Sequence, residues 1–486
     1  MIYGVSSIVA RLLNYLLTPY LTRIMPTDEY GAITYFYSLI PFALVVLTMG
    51  MESGYFRFAG KAATPEERKK VFATTWGAVS YAGLGFMALV LLFRGDLAQA
   101  LGYAATPSYI WIVGAIIMLD VVTAIPFARL REENRAVRYV VVRVASVAIN
   151  IAGCIFFFEL LPRLAGHGGA WAAIYDPSYG VGYVLVANLI ASLATLLILL
   201  PTCRGVVPRV DRRLFRQILA YSMPLLVSGI AGTANEFIDR QMIMFLMPAG
   251  EAASALGIYG AVVKIGVVLM LFTQMYRMAA EPFFLASFKK EDFARSNAEA
   301  LKYFIIVSVA IFLAIALFPR VFALIVGADF RVGIYILPVV LLANVCSGVV
   351  LNLSFWYKQT GQTRFAIWVT GIGLAVTVAA NVWLVPRLGY YGAAIARLAC
   401  EATMVAVSYY LCRRYYPIPY DLRRIGGYVL LGGVIYGVGT IAGRWLPEVA
   451  KYSLNLALVI LFVLYAVRRE RIDVRGLVRS ALRRGR

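Results

Sequence analysis

The sequence predicts an all-α polytopic membrane protein of about 14 transmembrane helices. Composition is the first reason. Of 486 residues, 61% are hydrophobic and 15% charged, with a mean hydropathy of +0.78. Soluble domains run nearer half apolar and a quarter charged. Length patterning is the second: apolar stretches of about 20 residues, enough to cross a hydrocarbon core of about 30 Å, recur from one end of the chain to the other. The alternation of a β-barrel is missing, and only helices or closed barrels satisfy the backbone in lipid.

Fourteen candidate spans fall at 3–22, 33–53, 71–93, 108–128, 139–158, 179–201, 218–247, 255–278, 303–326, 332–354, 365–385, 391–412, 426–445 and 452–467. Their connections alternate in charge. Links after even-numbered spans, with the C-terminal tail, carry 32 Lys and Arg residues; links after odd-numbered spans carry 8. An error of one span would invert the pattern downstream, so the alternation supports the count. The positive-inside rule then places both termini in the cytoplasm. The formal net charge of +21, which in a soluble domain would suggest nucleic acid, is mostly topological signal, and no nucleic-acid partner is expected.

The N-terminus lacks a basic n-region and a small-residue cleavage site, so it is expected to stay as the first helix. Cys154, Cys203, Cys346, Cys400 and Cys412 are scattered in or beside apolar runs, which favours free buried thiols over disulfides or metal ligands. The lone His167 makes neither a metal site nor a triad. With no phosphate-loop, zinc-helix or nucleophile-elbow motif, the expectation is a protein that is not an enzyme, without metal, cofactor or catalytic residue.

The chain is organised around Ile24-Met25-Pro26-Thr27-Asp28-Glu29-Tyr30-Gly31, read as a polar turn between two apolar runs. The same order returns at Leu246-Met247-Pro248-Ala249-Gly250-Glu251 and, after four extra residues, Leu256-Gly257-Ile258-Tyr259-Gly260. Leu161-Pro162-Arg163-Leu164 before span 6 is echoed by Val385-Pro386-Arg387-Leu388 before span 12. The copies lie six spans apart, an even number, so they share orientation as a parallel repeat. This predicts an N-lobe at 1–201, a basic cytoplasmic linker at 202–216 and a C-lobe at 217–412. Spans 13 and 14 (413–467) and a basic cytoplasmic tail (468–486) follow. Two parallel six-helix lobes around a central cavity are a transporter plan.

Some charges are not explained by topology. Arg11, Arg143, Arg240, Lys264, Arg277 and Arg397 lie within spans or near their ends, as do Glu52, Asp120, Asp239, Glu281 and Glu401. A charge at the bilayer centre costs about 2.5–3.5 kcal/mol on insertion scales, so each should face a cavity, a partner or the headgroups. Arg277 with Glu281, and Arg397 with Glu401, are i, i+4 pairs able to neutralise each other. Arg11, Arg240 and Lys264 lack an obvious local partner. Their chemistry is anion binding, because Arg offers a bidentate fork to phosphate and Lys a point charge. Arg397 is a fourth candidate. Asn14 and Asn235 could contact sugar hydroxyls, and Glu52, Asp239 or Glu401 could carry a coupling proton or sodium ion.

Leu21-Thr22-Arg23-Ile24-Met25-Pro26-Thr27-Asp28-Glu29-Tyr30-Gly31 is followed by Gly50-Met51-Glu52-Ser53-Gly54-Tyr55-Phe56-Arg57-Phe58 and, later, by Gly389-Tyr390-Tyr391-Gly392-Ala393-Ala394. With these motifs the chain resembles the polysaccharide and O-antigen flippases of the multidrug/oligosaccharidyl-lipid/polysaccharide exporter superfamily. The resemblance implies two six-helix lobes in a V with two extra C-terminal helices. It also implies translocation of undecaprenyl-pyrophosphate-linked oligosaccharide, an O-antigen or capsule repeat unit, across a bacterial inner membrane by alternating access. A cation-coupled drug antiporter of the same superfamily is the alternative, although it would favour an acidic cavity. A membrane glycan polymerase or ligase is a third reading, for which the external link 159–178 offers few acids or bases.

Overall fold

The computed structural model describes residues 13, 15–285, 290–362 and 364–471, and every regular element among them is helical. Residues 15–24 form the end of the first span, α1. There follow α2 (Thr27–Thr48), α3 (Met51–Ala59), α4 (Pro65–Leu92), α5 (Ser108–Glu132), α6 (Ala136–Ile155) and α7 (Gly180–Leu199). Next come α8 (Arg212–Leu246), α9 (Ala249–Ile265), α10 (Val267–Leu285), α11 (Lys290–Ala316) and α12 (Leu337–Leu353). The last are α13 (Arg364–Leu388), α14 (Tyr390–Tyr415), α15 (Leu422–Ala442) and α16 (Glu448–Arg469).

Among the described residues, twelve helical stretches are long and apolar enough to cross a membrane, and α9 with α10 makes a thirteenth, bent by 49°. These thirteen fall one to one on predicted spans 2 to 14. Most of span 1 lies outside the described residues. The chain is a multi-pass helical membrane protein.

Three boundaries depart from the sequence expectation. Thr27–Gly31, expected in a polar turn, is the first turn of α2. Pro26 caps it with an extended backbone, and Asp28 and Glu29 sit at its positive end. A residue before proline is pushed out of the helical region, so α1 stops and the link shrinks to Met25 and Pro26. Met247 and Pro248 do the same before α9. Span 2 is interrupted where Met49 (φ 50°) and Gly50 (φ 66°) turn left-handed, and α3 starts anew. Span 8 breaks at Gly266, whose carbonyl accepts a hydrogen bond from Asn344 Nδ2 at 3.2 Å. That contact restores a partner to a carbonyl at the bend.

By packing, the chain forms two compact units. The first runs to Lys264 and includes Val326–Phe330 and Ala366–Ala396; the second holds Ile265–Ile325, Arg331–Phe365 and the chain from Arg397 onward. These units do not follow the 1–201 and 217–412 limits of the sequence repeat, because α8 lies along α2 and α3. In the first unit, α5 packs against α4 and α7, over a cluster of Phe127, Leu130, Tyr139, Val142 and Leu199. In the second, α11 packs against α12, α15 and α16.

The basic links of the first unit are laced by ion pairs. Glu133 takes Arg129 at 2.6 Å and Arg135 at 2.9 Å, Glu52 pairs with Arg131, and Lys70 pairs with Asp211 at 2.8 Å. Asp211 also caps α8 by accepting the Leu214 N–H at 2.9 Å. The cap and then Lys70 hold its carboxyl below the usual range.

Candidate functional site

The two copies of the Met-Pro motif meet in the first unit. α2 and α9 begin beside each other and cross at glycines. A Cβ on Gly31 would overlap the Ala253 carbonyl and lie 3.1 Å from Gly257 N; a Cβ on Gly257 would overlap the Thr27 carbonyl and lie 3.0 Å from Gly31 N. Thr27 Oγ1 and Ser254 Oγ share a hydrogen bond of 2.7 Å over the crossing. One turn on, a Cβ at Gly260 would come within 2.7 Å of Thr34 Oγ1. Close backbone approach through small residues is how helices associate without a hydrophobic driving force. Two further links after odd-numbered spans join this end. Gly327 N donates to Thr22 Oγ1 at 3.0 Å, and Gly389 stands beside Met247.

Deeper along the same helices lie the polar groups. Lys264, in the last turn of α9, donates from Nζ to Tyr30 Oη at 2.9 Å and lies 5.2 Å from the ring centre. Tyr30 is fully buried, donates weakly to Thr18 Oγ1 at 3.5 Å, and meets Phe330 edge-on at 5.4 Å. The hydroxyl of Tyr259 donates to Asp239 on α8, which is 2% exposed. Arg240 Nη1 reaches Asp239 Oδ1 at 3.2 Å and the Glu236 carbonyl at 2.8 Å, and its guanidinium lies over Phe237. Gln241 Nε2 donates to Ser38 Oγ, tying α8 to α2.

The structure therefore brings Arg240, Lys264 and Asp239 into one unit and changes their reading. Arg240 has a local partner after all. Its side chain folds back to Asp239 although neighbouring positions on a helix point differently. Asn235, also on α8, donates to the Thr370 carbonyl at 3.0 Å. Glu52 lies with Arg131 at the basic end of the same unit. Arg397 and the buried Glu401 lie one turn apart on α14 in the second unit. Arg11 and Asn14 lie outside the described residues. Sequence reasoning missed Tyr30 and Tyr259. Both sit within the repeated motifs, Tyr30 next to Gly31 and Tyr259 next to Gly260, and an aromatic hydroxyl in an intramembrane motif was the available signal.

Comparison with known proteins bears on the family and the fold. The model of a family described as "Polysaccharide biosynthesis protein" matches residues 1–288. Among curated proteins no relative matches. A solved structure described as lipid II flippase MurJ in an inward closed conformation is 14% identical, with a TM-score of 0.76, covering 97% of this chain and 99% of that one. An inward-facing multidrug resistance MATE family transporter of the MOP superfamily is 16% identical at a TM-score of 0.66, covering 84% of this chain and 94% of that one. The MATE multidrug transporter DinF-BH is 15% identical at a TM-score of 0.60, covering 86% of this chain and 94% of that one. The fold is thus one shared with flippases and transporters of the MOP superfamily, and the chain belongs to the polysaccharide biosynthesis protein family.

Proposed function

We propose that the chain moves an undecaprenyl-pyrophosphate-linked oligosaccharide, an O-antigen or capsule repeat unit, from the inner to the outer leaflet of a bacterial cytoplasmic membrane. Lys264 carries this reading. Among the described residues its ammonium is held by the hydroxyl and ring of Tyr30 and by no carboxylate, so its charge is left for an anion. In surroundings of low dielectric that attraction far exceeds its value in water. Arg240 contributes less, because Asp239 offsets its charge. Arg11 and Arg397 are proposed as further phosphate contacts, Asn14 and Asn235 as sugar contacts, and Glu52, Asp239 and Glu401 as carriers of a coupling proton or sodium ion.

The alternation of basic links supports two cytoplasmic termini, and the reciprocal crossing of α2 and α9 supports two sequence halves working as lobes. The turns gathered at the motif end would then be the outer ends of their spans, packed together while substrate is taken up from the cytoplasmic side. Similarity of fold to MATE transporters and the buried Asp239 favour a second reading, a cation-coupled drug antiporter. Its weakness is that Asp239 already has Tyr259 and Arg240 as partners.

Glycolipid transfer in proteoliposomes, followed by leaflet-specific quenching of a labelled prenyl-pyrophosphate oligosaccharide, separates these readings. Protein-dependent transfer that falls with Lys264→Met supports the flippase. Uptake of a cationic dye under proton or sodium gradients, with no glycolipid transfer, would replace it with the antiporter. New glycosidic bonds in the same vesicles would replace both with an enzyme.

A further inference from the structure

At the end of the second unit opposite its basic links, where α11 and α15 finish and α12 and α16 begin, a pocket of about 310 Å³ opens. Tyr335, Tyr436, Thr440, Lys451 and Asn455 supply its polar lining. Lys451 stands in the first turn of α16 with its stem against Gly443, where a Cβ would lie 2.9 Å from Lys451 Cε. The carboxylate one turn before it, Glu448, is taken by Arg320. Lys451 is thus left without a carboxylate partner among the described residues.

Asn455 is 1% exposed. Its Nδ2 donates to the Leu317 carbonyl at 2.7 Å, while its buried Oδ1 meets no donor among the described residues. A buried acceptor without a donor is unfavourable, and a donor from a water or a ligand relieves it. Thr440 donates its hydroxyl hydrogen to the Tyr436 carbonyl at 2.8 Å, which leaves the oxygen free to accept. The lining therefore asks for an anionic group beside Lys451 and for O–H donors toward Asn455 and Thr440.

We propose that this pocket binds the phosphoglycerol headgroup of a membrane phospholipid. The phosphate meets Lys451, and the glycerol hydroxyls donate to Asn455 Oδ1 and Thr440 Oγ1. A choline headgroup carries no donor, and an ethanolamine headgroup brings a second cation beside Lys451. The membrane is the source because Tyr335, which lines the pocket, and Val332, one turn before it, are exposed and present an apolar surface that acyl chains can cover. This site is separate from Lys264 and Tyr30 and holds whether or not the transport reading does.

The test is native mass spectrometry of the purified full chain, titrated with phosphatidylglycerol, phosphatidylethanolamine and phosphatidylcholine of identical acyl chains. Wild type should prefer phosphatidylglycerol. Lys451→Gln should weaken that binding about tenfold, the scale of one charge-assisted hydrogen bond, and Lys451→Arg should retain it. Equal binding of the three lipids to wild type, or unchanged binding by Lys451→Gln, would overturn the site. Displacement of the lipid by an equal concentration of free glycerol phosphate would overturn its membrane source.

Discussion

Gly31 and Gly257 occupy reciprocal places in one helix crossing. Each fills the position where a side chain would strike the carbonyl four residues before the other, at Ala253 and at Thr27. A duplicated sequence thus meets itself about a local two-fold relationship, and the obstacle to a side chain is backbone, which cannot rotate aside. Gly257→Ala should destabilise at or above the upper end of the overpacking range of about 1–3 kcal/mol. Gly232→Ala is the control, since a Cβ there meets nothing within 4 Å; it should be neutral or stabilising by up to about 1 kcal/mol. Thermal melts in detergent measure both. Equal melting temperatures for Gly257→Ala and Gly232→Ala would refute the tight crossing.

The Lys264–Tyr30 contact makes a separate prediction for transport. Lys264→Met should abolish glycolipid transfer at normal protein levels, and Lys264→Arg should keep part of it. Tyr30→Phe keeps the ring and removes only the hydroxyl. It should slow transfer about tenfold, the value of one hydrogen bond to a charged group. Transfer at wild-type rate by Lys264→Met would end the anion-site assignment.

Span number and class were legible in the sequence because lipid imposes length and apolarity, and because positive links alternate along the whole chain. The repeated Met-Pro motif was legible for the same local reason. Its structural meaning was not. Helix α2 starts directly after Pro26 because the proline stops α1, and a row of polar residues such as Thr27-Asp28-Glu29 suits a helix N-terminus as well as a loop. Site residues were harder. Arg240 looked unpaired because neighbours on a helix diverge, yet a long guanidinium stem bends back to Asp239. Tyr259 could not be matched to Asp239 without the packing of α8 against α9. The lipid pocket depends on Arg320 capturing Glu448, a contact across a long sequence interval.

The Asp239–Arg240 pair predicts a non-additive mutant cycle. Asp239 is buried, with side chains of 3% and 12% exposure in the pair. Asp239→Asn alone strands a buried guanidinium and should cost about 3–5 kcal/mol. The double variant Asp239→Asn with Arg240→Gln should recover much of that loss, because neither charge is then left unpaired. Melting of the two singles and the double gives the coupling. Strict additivity would show that the two side chains do not hold each other.

At the basic end of the second unit, Glu470 accepts from Lys302 and from Tyr428 Oη at 2.9 Å, joining the end of α16 to α11 and α15. Burial alone would raise the Glu470 carboxyl, but the Lys302 and Tyr428 hydrogen bonds outweigh it and hold the group below its ordinary value of 4.5. A depressed folded-state value means that stability is present above the unfolded value and is lost as pH falls through the folded one. Glu470→Gln should therefore cost roughly 1.5–3 kcal/mol at neutral pH, the range for a hydrogen bond to a charged group. The gap to wild type should close as the solution is acidified below the carboxylate range, and Lys302→Met should remove the same pH dependence. Melting curves across that interval decide it: a wild-type advantage that persisted undiminished in acid would mean the contact does not depend on the Glu470 charge.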